Sequence, residues 1–222
     1  MIDEENLLGL NNYWNLTTSQ KMKRSDYIID IITEKIDNNQ YIKRFMRYNS
    51  NNPLAKKIIK DGKNILQPNL KDSLLVSTNE VKDINKKSVE SKRCLYTWGF
   101  NGKIETDEQN YIFIENHKIN YNNINKMADM FLNIKIVIPD IYLELKDDET
   151  DFPIRRNKII ACTIDNMLDE YTVDNKYTDQ LGNIKFELTD YSEGRLSKDS
   201  NKVVSALIYR CSYYCDRITN YD

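Results

Sequence analysis

Glycine, proline and histidine are all scarce here: six glycines, four prolines and one histidine in 222 residues. The glycines never fall in the close spacing that lets a backbone loop wrap a phosphate, which excludes a phosphate-binding loop of the common kind. Any Ser–His–Asp or Cys–His arrangement would have to use His117, which sits in a polar segment without a nucleophile motif beside it and reads as a surface residue. No apolar run approaches the ~18 residues that a membrane helix needs. Basic charge is not in excess either: the net charge of −2 leaves no overall electrostatic footprint for nucleic acid. The opening Met1-Ile2-Asp3-Glu4-Glu5 is acidic, the reverse of a signal peptide's basic start, so the expectation is a protein made and kept in a reducing cytoplasm. Its four cysteines, Cys94, Cys162, Cys211 and Cys215, are then expected as free thiols.

What is abundant is Asn, Ile, Lys, Asp and Tyr, a usage typical of AT-rich coding sequence. Tyrosine stands out at 15 copies. Two uses fit it: contacts between subunits, where a rigid amphipathic ring serves well, or the work of Phe at the edge of a core. The length suits one large domain or a domain with an appendage, burying roughly 70% of the unfolded surface.

The pattern is clearest in the middle. Leu132–Ile138 alternates, with Ile134, Ile136 and Ile138 on one face and Asn133, Lys135 and Val137 on the other, as a half-buried strand does, and Pro139 ends it. An acidic link, Lys146–Asp151, leads to Phe152-Pro153 and a helical stripe of Ile160, Ile164, Met167, Leu168 and Tyr171, with Asp151 and Pro153 suited to its start. Upstream, residues 1–24 form a polar arm with Tyr13 and Trp14, and Ser25 is a plausible cap for a helix carrying Ile28, Ile32 and Ile36. Asn38-Asn39 interrupts that helix, and a second short apolar face follows through Tyr41, Ile42, Phe45 and Met46. Leu54–Ile59 reads as a further helical turn or two closed by Asp61-Gly62, and residues 63–91 as a polar excursion. Arg93–Phe100 reads as a strand followed by Asn101-Gly102, a hairpin signal, and Tyr111–Glu115 as another strand. The chain turns helical around Ile124, Met127, Ala128 and Phe131. Ile184, Phe186 and Leu188 open a strand that Glu193-Gly194 breaks, and Val203–Tyr214 is a long interior strand. The division is an N-terminal arm with short helices (1–62), the excursion (63–91) and a core (92–222), all one structural unit. The fold class is α+β: a mixed, mainly antiparallel sheet with helices packed on one face, and long hairpin or loop excursions.

Three constellations invite chemistry. Pro139-Asp140, Glu144 and Lys146 resemble a metal-dependent nuclease signature, but only three residues separate its two halves, which puts both on one strand. Cys211 and Cys215 could be half a zinc site, yet strand positions four apart stand roughly 13 Å from each other. Arg155, Arg156 and Lys158 open a helix where cations are unfavourable. They read either as a solvated basic turn or as contacts to a phosphate or a neighbour's carboxylate, and Lys21–Arg24 reads the same way. No catalytic group, metal or cofactor is expected.

From about residue 90 to 215 the order is hairpin, alternating strand, acidic gap, amphipathic helix opening with Arg156-Asn157, and hairpin, behind the Ile28/Ile32/Ile36 helix. This order resembles the tail-terminator and head–tail junction (neck) ring proteins of tailed bacteriophages. The resemblance implies a non-enzymatic virion subunit that closes into a six- or twelve-fold ring. Such a ring meets portal, neck or tail proteins and surrounds a channel through which DNA passes without specific binding, with no membrane involved. The expected inter-subunit contacts are Tyr13 and Trp14 in the arm, and Trp98, Phe100, Asn101 and Gly102 around the hairpin, with core packing as the alternative for the two aromatic anchors. The rival readings are a metal-dependent nuclease using Asp140, Glu144 and Lys146, and a small monomeric adaptor.

Overall fold

The computed structural model describes residues 17–82, 87–88, 90–97, 104, 107–122, 127–145, 154–169 and 184–214. Helix α1 (Thr17–Asn38) is followed at once by α2 (Gln40–Arg47). Ser25 is therefore a buried residue inside a helix and not its cap. The break between the helices is real: Asn39 leaves the helical conformation and its side chain accepts from the Ile42 N–H at 3.1 Å, satisfying an orphan donor of α2.

Next comes a hairpin, β1 (Lys57–Lys60) and β2 (Lys63–Leu66), where a helical turn is expected from the sequence. Asp61 and Gly62 both have positive φ, 50° and 70°, the geometry of a primed two-residue turn whose twist matches the strands it joins. Beyond β2, the described part of the polar excursion is irregular in conformation but firmly anchored. Gln40 brackets Leu70 from both sides of its backbone (2.7 and 3.1 Å), and Asp37 accepts from the Leu74 N–H at 2.5 Å. Leu70 and Leu74 are buried. The segment is thus a strap that buries two leucines and fastens its backbone with side chains from the helices.

A five-stranded sheet forms the body, in the order β3-β4-β5-β9-β8. Its strands are β3 (Leu95–Tyr96), β4 (Tyr111–Asn122), β5 (Met127–Pro139), β8 (Phe186–Arg195) and β9 (Lys202–Tyr214). All neighbours are antiparallel except β3 and β4. A 3₁₀ turn (Asp140–Tyr142) and a two-residue ladder between β6 (Glu144–Leu145) and β7 (Ile154–Arg155) lead to α3 (Arg156–Asp169). The fold is α+β, a mainly antiparallel sheet backed by helices, as the sequence predicts.

Three local expectations change. Met127, Ala128 and Phe131 lie in β5 and not in a helix, because pairing with β4 on one side and β9 on the other continues through them. Gly194 stays within β8, paired with Val204. The strand expected over Arg93–Phe100 is ladder-bonded at Leu95–Tyr96, parallel to β4.

The alternation in β5 sets the layers. Ala128, Met130, Leu132, Ile134, Ile136 and Ile138 are buried and share one core with Ile28, Ile32 and Ile36 of α1, Ile42 and Phe45 of α2, and Ile160, Ile164 and Leu168 of α3. All three helices therefore cover the same face. Val137 points the other way, into a smaller cluster with Ile104, Tyr111 and Phe113 at one end of the opposite face.

Candidate functional site

Tyr13, Trp14, Trp98, Phe100, Asn101 and Gly102 lie outside the described residues. So do Lys146 and Cys215. Of the nuclease-like trio, Asp140 sits in the 3₁₀ turn with its carboxylate on Arg195 at 2.8 Å, and Glu144 is an exposed residue of β6. That geometry ties a turn to the end of β8. Among the described residues, no three His, Cys, Asp or Glu side chains gather as a metal site. Cys94, Cys162 and Cys211 are free thiols. Burial pushes the Cys94 thiol up to about 11 and the Cys211 thiol higher still, so both stay protonated, while Cys162 is exposed. His117 is exposed beside a bulge in β4.

The basic start of α3 divides by role. Arg155 and Lys158 reach Glu193 of β8 at 3.0 and 3.9 Å. Arg156 is fully buried, contrary to both sequence readings of it. Its guanidinium donates to four backbone carbonyls: Tyr142 (2.8 Å), Phe45 (2.6 Å), Tyr48 (2.7 Å) and Ser50 (2.5 Å). Burial lowers its pKa to about 10, still charged at neutral pH. Asn157, also buried, donates to Ser205 at 2.7 Å and Glu193 at 3.1 Å. The Arg156-Asn157 pair thus joins α3 to α2 on one side and to β8 and β9 on the other.

Two more buried arginines stand near it. Arg44 donates to the carbonyls of Pro53 and Ala55 and to the Asn69 side chain. Arg47 donates to the carbonyls of Ser73, Val76, Ser91 and Lys92. Every acceptor these three guanidiniums meet among the described residues is neutral, so their charge is spread over backbone dipoles and not cancelled by a carboxylate. Carbonyl-rich loops are where a planar fork of five donors works best, because it satisfies several orphan acceptors at once. Sequence reasoning missed this role; the only signal is that Arg44 and Arg47 flank the apolar pair Phe45-Met46 on a short helix.

Beside this cluster lies a half-open cavity of about 350 Å³ between the end of α2, the β1–β2 hairpin, the residues around Lys82 and Tyr142. Arg47, Lys60 and Lys82 contribute cations to its lining, and Tyr48, Ile58, Ile65 and Tyr142 contribute ring and aliphatic surface.

The helix-free face of the sheet is the second surface of note. Along it Phe131 and Lys135 of β5, Ala206 and Ile208 of β9 are half-buried, and Arg210 is exposed. Cross-strand ion pairs stitch it: Lys135 to Glu115 at 2.7 Å and Arg210 to Asp129 at 2.8 Å. At its lower end Lys202 is fully buried and pairs with Asp107 at 2.7 Å, and Tyr111 donates to the same carboxylate. Burial pushes Asp107 up, but the bonds from Lys202 and Tyr111 outweigh it and hold the carboxyl below its usual range.

No family model matches the chain, and no curated protein is significantly similar to it.

Proposed function

We propose that this protein is a non-enzymatic structural subunit of a tailed-phage virion: a tail-terminator or neck ring component that joins tail to head around the DNA channel. The observation that carries the reading is the element order in its folded form. A helix pair precedes a long hairpin (β4–β5), then come the Arg156-Asn157 helix and a second hairpin (β8–β9), all in one sheet covered by helices on a single face. The helix-free face mixes half-buried Phe131 and Ile208 with cross-strand ion pairs, a composition that suits contact with a second copy of the same chain. Head-to-tail contacts between identical subunits close into rings when the rotation allows it. A net-acidic chain is compatible with a conduit through which DNA slides without being held. Among the described residues, no helix is long and apolar enough to cross a membrane.

The deciding experiment is light scattering of the purified full-length protein across a concentration series, with negative-stain electron microscopy of the same samples. One closed multiple of the subunit mass, seen as rings with a central hole, is expected. A monomer at every concentration, or open-ended aggregates without rings, would count against the reading.

A further inference from the structure

We propose that the cavity between α2 and the β1–β2 hairpin is a binding site for a phosphate-bearing small molecule of nucleotide size. The inference is independent of the ring reading: either can fail alone. Its volume of about 350 Å³ lies at the lower end of the range of small-ligand pockets, which suits a mononucleotide better than a larger cofactor.

Charge argues for an anion. Arg47, Lys60 and Lys82 line the cavity, and no carboxylate is among its described lining residues. Behind Arg47 stand Arg44 and Arg156, both buried and both bonded only to neutral acceptors among the described residues. Buried charges are weakly screened, so their field reaches the cavity more strongly than that of surface lysines would. The nearest carboxylates sit outside the lining. Glu80 is close enough to help raise the Tyr48 phenol, after burial and against Arg44, but its own oxygen accepts from the Lys71 and Asp72 N–H groups. Glu108 acts on Tyr142 in the same minor way, behind burial.

Shape and surface argue for a flat organic body on that anion. Half-buried Tyr142 and Ile58 offer a ring and branched aliphatic carbons, with the buried Tyr48 and Ile65 beside them, against which a planar base stacks or packs. Inorganic phosphate would leave these walls uncovered, and a nucleoside would leave the cations unpaired. Lys60 and Lys82 are exposed side chains at the rim; Lys82 donates to the Ser88 hydroxyl at 2.8 Å, a neutral partner that a phosphate can replace, whereas Arg47 is fixed by its carbonyl partners and acts through its field.

The test is calorimetric titration of the full-length protein with the four ribonucleoside 5′-monophosphates, their nucleosides and inorganic phosphate. At least one nucleotide is expected to bind about tenfold more tightly than its nucleoside or phosphate alone. The double change Lys60→Glu with Lys82→Glu should weaken it about tenfold or more, while Lys118→Glu, an exposed lysine of β4, leaves it unchanged. Thermal melts of each variant control for folding, and the rim lysines are exposed, so both variants should melt with the wild type. No binding by any nucleotide, equal affinity for phosphate alone, or binding indifferent to the rim charge reversal would each overturn the proposal.

Discussion

A guanidinium buried with no carboxylate partner among the described residues is costly unless its donors are placed, and Arg156 places four of them on carbonyls from two stretches of chain. Those stretches are the end of α2 with the turn after it, and the 3₁₀ turn before β6. Arg156→Ala would strip all four carbonyls of this donor at once and open a cavity where the side chain was. The expected loss is roughly 3–4 kcal/mol of unfolding free energy, read from urea denaturation. Arg156→Lys should recover little of it, because one ammonium cannot span the fork. A variant within 1 kcal/mol of wild type in either case, on the order of surface-site effects, would show that the carbonyls find water instead.

At the scale of elements, the irregular segments are held mainly by side chains, helped by a few backbone bridges such as Thr78–Ser91. The 107–110 stretch is fastened to the start of β9 through Asp107, Lys202 and Tyr111, with Asn110 donating to the carbonyls of Phe45 and Met46. Because Asp107 titrates lower in the folded protein than its unfolded value near 3.8, its contribution is present above that value. It is lost as pH falls through the lower folded value. Asp107→Asn should therefore melt below wild type at pH 7, and the gap should close as the pH drops below about 4. A gap that persists unchanged to the acid limit of folding would mean that shape, and not charge, is what Asp107 supplies. The same logic explains why residues 63–91 looked unstructured: their anchors, Gln40, Asp37, Arg44 and Arg47, are far away in the chain.

For the whole molecule, the sheet's two faces divide the labour. One carries the core shared by all three helices; the other holds only the small cluster at its lower end among the described residues. Phe131→Asp and Ile208→Asp on the upper part of that face leave the helix-side core untouched. If subunits meet there, these variants keep the wild-type circular dichroism spectrum while their native mass falls to the monomer. Wild-type mass in both variants would move the interface elsewhere, toward the exposed edge of β8, where Leu188 and Tyr191 are 39% and 41% exposed.

Periodicity by itself determined the parts of this protein where local pattern and burial coincide. The Ile28/Ile32/Ile36 stripe, the Leu132–Ile138 alternation and the Ile160/Ile164/Leu168 face each meet the shared core as their spacing requires, since a residue's face follows from the repeat of its own element. The conformation of Met127–Phe131 was decided elsewhere: the segment is flanked by β4 and β9, and two ladders outweigh a weak helical pattern. Asp61-Gly62 carries a hairpin signal as good as Asn101-Gly102, but the lysine-rich, largely exposed flanks of the first hide the period of two. Beyond the apolar Phe45-Met46 pair between Arg44 and Arg47, nothing in the chain's order announces that these two and Arg156 are buried, or that a cavity with cations on its lining stands beside them. A long charged side chain is normally a surface residue, and only the convergence of distant backbone carbonyls makes its burial favourable.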